Sequence, residues 1–388
     1  MKRVLHIITG LEHGGAERQL ALLLRHLPRE SVECEVAVLT RAGELAEEIR
    51  AGGVPVHEIG MKGNRDLRAL PRLVRLIRRG RYDVVHTHLY RACVYGRVAA
   101  RLARTPRIVA TEHSLGDGQI EGRRTSAAVR ALYRATERLG DATVAVSPTV
   151  QRRLRAWGVR PDRMVTITNA IDAEAFAFDP GRRAAVRAAL GIGPEEFVIG
   201  STGRLVPSKR LDLLIRAFAG TGRADRPGAG DGRLLVVGSG PCLPELEELA
   251  ERLGVARRVH FTGGTGDVAG MLSAMDAYAA PSAQETFGLG VLEALASGLP
   301  VLYTSCPAID DLPSLLAPRA QRLPSWVAAW SGAIDALPRP DGPTPARAAP
   351  PPLVAHYAIE ARIARFLDLY HEGPSAVRSE RGSVLATA

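Results

Sequence analysis

Short β-rich runs alternate with helical patterns along this chain in two successive series, and that alternation narrows the fold more than any other property. The first series reads VLHII at 4–8, CEVAVLT at 34–40, DVVHTH at 83–88, RIVATEH at 107–113, ATVAVS at 142–147 and MVTITNA at 164–170. Helical patterns over about Gly15 to Leu27 and Gly43 to Ala51 fill the early gaps. The scheme then restarts with FVIGSTG at 197–203, RLLVVGSG at 233–240, RVHFTGG at 258–264, AYAAPS at 277–282 and PVLYTS at 300–305. Strands separated by helices pair in parallel through right-handed crossovers. The expected class is therefore α/β, with two doubly wound, Rossmann-like domains and a seam near residues 170–195. Ligands of such sheets sit beyond the carboxyl ends of the strands, so a site between two of them draws residues from both halves. After Ser305 the pattern decays. Residues 335–352 read as an irregular surface segment, and a final helix from about Val354 to Tyr370 precedes a tail expected to be disordered.

A chain of 388 residues is long enough for two ordinary domains with separate cores. Its four cysteines, Cys34, Cys93, Cys242 and Cys306, stand far apart without CxxC or Cys/His spacing. Neither a structural zinc site nor a disulfide framework is indicated, which fits a reducing cytoplasm. No cleavable signal and no apolar run of about 18 residues appears, so the expected location is cytoplasmic, at most peripheral at the inner membrane face. The net charge of +10 resides in residues 1–180, which hold 30 Lys and Arg against 20 Asp and Glu, whereas residues 181–388 hold 21 of each. Much of the excess comes from DLRALPRLVRLIRRGR at 66–81, where Leu67, Leu70, Leu73, Val74 and Ile77 mark one face and arginines the rest. Such a helix either docks its apolar face on the core or rests on anionic headgroups. Without an aromatic platform or recognition motif, nucleic acid is not an expected partner.

Several strand ends carry chemistry. In PSAQETFGLGVLEALASGLPV at 281–301, Glu285 and Glu293 stand eight positions apart; a step of eight on an α-helix turns roughly 80° beyond two turns and rises about 12 Å. Between them the amides of Phe287, Gly288 and Leu289 are read as the open first turn of a helix, with Gly288 and Gly290 leaving room for a ligand. That suits a phosphate beside a polyhydroxylated group. In STGRLVPSKR at 201–210, Arg204 follows a strand-end glycine and Lys209 sits near the next helix start, a spacing for two cations on one diphosphate. Gly14 and Gly15 open the helix after the first strand, beside His13, and their amides could face an anion. His113 follows a strand and could bond a sugar hydroxyl or carry a proton, with His86 and His88 as competitors for that role. VVGSGP at 236–241, with Gly238, and VHFTGG at 259–264, with Phe261, are turns that could receive a nucleoside. Neither is a GxGxxG fingerprint, and the absence of Asp-x-Asp implies no catalytic metal.

With GGAERQ at 14–19, TEH at 111–113, GRLVPSK at 203–209 and ETFGLGVLEALASGLPV at 285–301 in this order, the chain resembles the retaining glycosyltransferases of family four. The resemblance covers residues 1 to about 305 and the terminal helix. It implies the GT-B fold, two Rossmann-like domains facing a central cleft: an acceptor domain over 1–175, a nucleotide-sugar domain over 176–350, a terminal helix over 351–372 returning to the first domain, and a disordered tail over 373–388. It implies that Arg204 and Lys209 hold the donor diphosphate, Glu285 contacts donor-sugar hydroxyls and Glu293 binds the ribose. Amides from Phe287, Gly288 and Leu289 would touch sugar or phosphate, His113 would reach the donor sugar, and Gly14 and Gly15 would lie beside the reacting centre.

The implied reaction moves a hexose or N-acetylhexosamine from a nucleotide-diphosphate sugar, UDP-sugar foremost, to an acceptor hydroxyl with retention. It needs neither metal nor cofactor. The acceptor is a sugar, an aglycone or a lipid-linked glycan, in cell-surface glycan or natural-product biosynthesis, with an anionic membrane as a candidate peripheral partner. A sugar-nucleotide epimerase of the same fold and a non-catalytic sugar-nucleotide-binding protein are the alternatives. Two departures stand out. NAID at 169–172 replaces the family's NGID, and TSCPAIDDLPSLLAPRAQRLP at 304–324 replaces its glycine pair and acidic residue, which leaves the base open.

Overall fold

The central strands carry the unbroken apolar runs that a sheet covered on both faces requires. In the computed structural model of the chain, residues 1–379 are described apart from 13, 65, 122, 222–231, 339–341 and 343–344. The chain divides into two compact units, residues 1–170 with 359–388 and residues 171–358.

The first unit holds a seven-stranded sheet: β1 (Lys2–Ile8), β2 (Val32–Val38), β3 (Val56–Glu58), β4 (Val84–His88), β5 (Arg107–Glu112), β6 (Ala142–Ala145) and β7 (Met164–Thr166). Their order is β7-β6-β5-β4-β1-β2-β3, and every pair is parallel. In β1 the alternation of side chains sends Val4 to one buried cluster and Leu5 and Ile7 to another. The helices Gly15–His26 and Ile359–His371 supply Leu23, Ile359, Ile363, Phe366 and Leu369 to the Val4 side, and Leu27 joins them just past the first helix.

The second unit repeats the scheme with β8 (Val198–Thr202), β9 (Arg233–Val237), β10 (Val259–Phe261), β11 (Ala277–Ala280), β12 (Val301–Tyr303) and β13 (Ala320–Arg322). Their order is β10-β9-β8-β11-β12-β13, again all parallel. Both sheets thus reverse direction beside their first strand, between β1 and β4 in one and between β8 and β11 in the other. At such a switch the loops leave in opposite directions and open a crevice at the carboxyl ends.

Some expectations change. β3 and β13 escape the sequence patterns because each is a three-residue strand at a sheet edge, VHE and AQR, with no apolar run to betray it. The basic helix covers Ala69–Gly80, and Arg81 ends it with φ 49°. Leu73 and Ile77 are buried, but Leu67 lies before the helix and is 72% exposed, so it does not belong to the apolar face. The terminal helix is two: Pro352–His356 and Ile359–His371, separated where Ile171 and Ala358 form a bridge. A further helix, Pro374–Ser379, occupies the first part of the segment expected to be disordered; residues 380–388 lie outside the described residues.

Candidate active site

In the second unit the residues singled out by sequence converge on the switch point. The loop after β8 carries Gly203, Arg204 and Lys209, and the loop after β11 carries Glu285. The two loops are joined by backbone, Ala283 N donating to Ser208 O at 2.9 Å, and by side chains, Lys209 Nζ standing 2.6 Å from Glu285 Oε1. Neither partner is fully buried: the Lys209 side chain is 29% exposed and that of Glu285 16%. Lys209 closes a 3-10 turn, Pro207–Lys209, ahead of the helix Leu211–Ala219, and its chain end hangs over Gly203, where a Cβ would lie 3.7 Å from Nζ. Arg204 is exposed in the same loop.

The neighbouring loop after β9 approaches closely. Gly203 N donates to Val237 O and Leu205 N to Ser239 O, both at 2.9 Å, which extends the β8–β9 ladder past the sheet. Gly238, with φ 140°, has room only for hydrogen, because a Cβ would stand 2.0 Å from Gly203 O. Gly238 N donates in turn to Gly263 O at 2.8 Å, so the turns containing Gly238 and following Phe261 are laced to the Arg204 loop. Phe261 itself is half-buried against the core.

The helix between the glutamates starts later than its sequence suggests. It spans Leu289–Ala296, with Gly288 as its N-cap at φ 104°, so Glu285 lies in the preceding loop and helical geometry does not relate it to Glu293. The orphan first-turn amides are therefore those of Leu289 and Gly290 rather than of Phe287 and Gly288. The glycines answer to the protein's own side chains as well. A Cβ at Gly290 would lie 2.4 Å from the Tyr278 hydroxyl and 2.9 Å from Thr202 Oγ1; one at Gly288 would lie 2.4 Å from Cys306 Sγ. Tyr278 Oη and Thr202 Oγ1 are themselves 2.9 Å apart, under the crevice. Burial, with the nearby Glu293 and Glu285 carboxylates adding to it, pushes the Tyr278 phenol up, so it stays protonated and a donor. Phe287 is 1% exposed and meets Tyr357 edge-on at 4.9 Å. Its burial anchors the turn by about 2–3 kcal/mol, which takes its ring away from any ligand.

In the first unit Gly14 caps the helix Gly15–His26. The Glu17 carboxylate fills the space that a Gly14 side chain would take, so this helix start already faces an anion. His13 lies outside the described residues. His113 follows β5 and is 8% exposed, and burial lowers it to about 3, leaving a neutral ring. It lines a small pocket of about 30 Å³ with Gln19, His88, Thr111, Asn169 and Arg362. Gln19 pins one wall, accepting from Ala170 N and donating to Ala170 O at 2.8 Å each. Arg362 pins another, its Nε and Nη2 donating to Thr168 Oγ1 at 3.0 and 2.8 Å.

Both halves of the chain match known families. Residues 13–175 match the Glycosyltransferase Family 4 domain and residues 196–323 the Glycosyl transferases group 1 domain. The chain belongs to the family 4, group 1 glycosyltransferases. It is 31% identical over 262 residues to a D-inositol 3-phosphate glycosyltransferase of Saccharomonospora viridis, covering 62% of this chain and 59% of that protein. The one from Mycobacterium marinum is 32% identical over 251 residues, 60% and 50% of the two chains. This chain thus spans 59% and 50% of the length of these two curated relatives. In structure it is similar to Anabaena HepE in complex with UDP and glucose, with a TM-score of 0.78, 21% identity and coverage of 95% and 99%. A sucrose-phosphate synthase of Thermosynechococcus elongatus gives 0.75, 20%, 95% and 98%. The fold is GT-B, with two Rossmann-like halves.

The segment in which this chain departs from the family pattern braces the turn that carries Phe287. Ala308 N donates to Phe287 O at 2.8 Å, and the Cys306 thiol to the same oxygen at 3.5 Å. Asp310 accepts from Cys306 N at 2.9 Å and holds the short helix Pro307–Asp310 in place. Sequence reading missed Tyr278, Thr202 and Cys306, since a tyrosine, a threonine and a cysteine scattered over a hundred residues have no shared spacing. It also missed His6, whose ring joins His86 and His88 only because β1 lies beside β4. Nitrogens of these three rings lie within 4.8 Å of one another, a constellation of metal-ligand type. Both nitrogens of His86 and both of His88 nevertheless already face hydrogen-bonding partners in the protein.

Proposed function

We propose that this glycosyltransferase moves a hexose or N-acetylhexosamine from a UDP-sugar to an acceptor hydroxyl with retention and without a catalytic metal. The observation that carries the reading is the Lys209–Glu285 pair across the switch point of the second unit. An ammonium and a carboxylate that neutralise each other at a crevice still open to solvent, with the side chains 29% and 16% exposed, can part when a stronger anion arrives. An arriving diphosphate takes Lys209, joined by Arg204, and Glu285 becomes an acceptor for sugar hydroxyls. As the glycosidic bond to the phosphate lengthens, negative charge grows on the leaving oxygen beside Lys209, Arg204 and the amides of Leu289 and Gly290. Donors placed where charge develops lower the barrier. Glu293, one turn into the helix, is assigned to the ribose, and His113, Gly14 and Gly15 to the sugar side. The leaving phosphate oxygen takes the acceptor proton, so no further base is required.

The UDP and glucose held by HepE and the inositol phosphate named for the actinobacterial relatives support a UDP-sugar donor and a polyol or anionic acceptor. The excess of cations in residues 1–180 supports an acidic acceptor, either soluble or a lipid-linked glycan at a membrane surface. No described helix is long and apolar enough to cross a membrane. A donor screen by nucleotide release, with and without polyol phosphates, glycan and lipid-linked acceptors, tests the reading. UDP release that depends on an acceptor, an axial-to-axial product by NMR and rates unchanged by EDTA are expected. No release from any nucleotide sugar would refute it.

A further inference from the structure

His6 on β1, His86 and His88 on β4 and His113 after β5 are all buried on one face of the first sheet, beneath the helix Ile359–His371. His86 stands aside from the others, its Nδ1 2.7 Å from the Tyr370 hydroxyl and its Nε2 2.7 Å from Thr111 Oγ1. The remaining three form a line. His6 Nδ1 is 3.1 Å from His88 Nε2, and His88 Nδ1 is 3.2 Å from His113 Nε2. The nitrogens at the two ends, His6 Nε2 and His113 Nδ1, are buried without a hydrogen-bond partner. Burial lowers His6 and His113 to about 3, and His88 well below its ordinary value with help from the neighbouring rings. All three rings are therefore neutral at physiological pH.

A neutral imidazole has one donor and one acceptor nitrogen. Each of the two contacts needs an N–H facing a lone pair, so only two arrangements satisfy both: all three rings protonated on Nε2, or all three on Nδ1. Any mixture sets two lone pairs or two N–H groups face to face in a buried site, where an unmet polar group is costly. In the first arrangement His113 keeps a bare lone pair at Nδ1; in the second it offers an N–H there. His113 lines the pocket of the first unit, and Nδ1 is its one nitrogen left for a ligand.

We propose that His6 and His88 are positioning residues that fix the tautomer of His113, so that the line settles with all three protons on Nδ1 when a sugar-hydroxyl or phosphate oxygen accepts from His113. Changing between the arrangements moves one proton across each contact, takes one up at His113 Nδ1 and gives one up at His6 Nε2, with no net charge; both end nitrogens are buried, so their exchange with water requires a transient opening of the site. The assignment of the pocket oxygen to a nucleotide sugar rests on the proposed transferase reading; the coupling of the three tautomers does not.

The test is the tautomer of each ring in the full chain labelled with 15N-histidine, read from long-range 1H–15N correlations and assigned with His6→Phe, His88→Gln and His113→Gln. In the free wild-type chain His6, His88 and His113 should share one tautomer, and UDP-glucose should leave all three on Nδ1–H. His6 does not line the pocket, and His6→Phe replaces the imidazole by a ring that neither donates nor accepts. That variant, or His6→Gln if it fails to fold, should turn His113 into a mixture of tautomers and lower kcat/KM several-fold. A mixed set of tautomers in the wild type, stoichiometric zinc in the purified chain, or a His113 unmoved by a folded His6 variant would overturn the proposal. A shared tautomer that UDP-glucose and other nucleotide sugars do not perturb would uphold the coupling and remove His113 from the donor site.

Discussion

Lys209 and Glu285, 76 positions apart in sequence, meet at 2.6 Å because β8 and β11 are neighbours in the second sheet. Each residue leaves its strand on the carboxyl side, and the reversal of strand order between them opens the crevice that their side chains close.

Lys209→Ala should therefore cut transfer roughly 100- to 1,000-fold, the range for losing one preorganised group that stabilises developing charge. The fold should survive, since both side chains sit in loops at the rim of the crevice and keep contact with solvent. Steady-state kinetics beside thermal unfolding separates the two effects, and a near-normal kcat would remove Lys209 from the diphosphate.

Glu285→Gln keeps the size of the side chain but releases Lys209 and loses a charged acceptor. A fall of similar size in kcat/KM is expected. Glu293→Ala, by contrast, should act on donor binding, raising the donor KM roughly tenfold or more for one lost hydrogen bond to a charged group. If Glu293→Ala lowers kcat and leaves KM alone, its ribose assignment fails.

Gly290→Ala forces a methyl group to within 2.4 Å of the Tyr278 hydroxyl and should cost about 1–3 kcal/mol of stability. Tyr278→Phe removes that oxygen, so the double variant should recover part of the loss in urea denaturation. Strictly additive effects would mean that the clash is relieved elsewhere.

Glu112 gives a pH signature. Burial, with Glu121 adding to it, pushes its carboxyl from 4.5 up to about 7. Below about pH 4.5 the folded and unfolded chains are both protonated there and stability is full. Between there and about pH 7 the unfolded chain ionises first, and stability falls by up to about 3 kcal/mol, at 1.36 kcal/mol per pH unit of separation. Glu112→Gln should flatten that slope, and parallel denaturation curves at pH 4.5 and 7.5 for both chains would contradict the burial argument.

The exposed arginines Arg72, Arg75, Arg78 and Arg79 test the membrane reading. Sedimentation with anionic liposomes at low salt should retain the wild type, and replacing all four by glutamine should release it; a wild type that stays in solution ends that proposal.

Much of this protein is legible in its sequence. The two series of apolar runs specify two parallel sheets, because only such sheets bury strands on both faces. The intervals among Gly203, Arg204, Lys209, Glu285 and Glu293 name the family. The sequence could not tell where the helix that carries Glu293 begins, since apolar periodicity from Phe287 onward looks helical whether or not Gly288 adopts a positive φ. Nor could it tell that Gly288 and Gly290 yield space to Cys306 and Tyr278. The histidine line is the clearest case. His6, His88 and His113 are separated by 82 and 25 positions, and no local pattern links them. Local sequence fixes which residues leave the strands and in what order, through periodicity and turn chemistry. Which of them touch is decided by strand order, and strand order follows from how distant apolar faces cover one another.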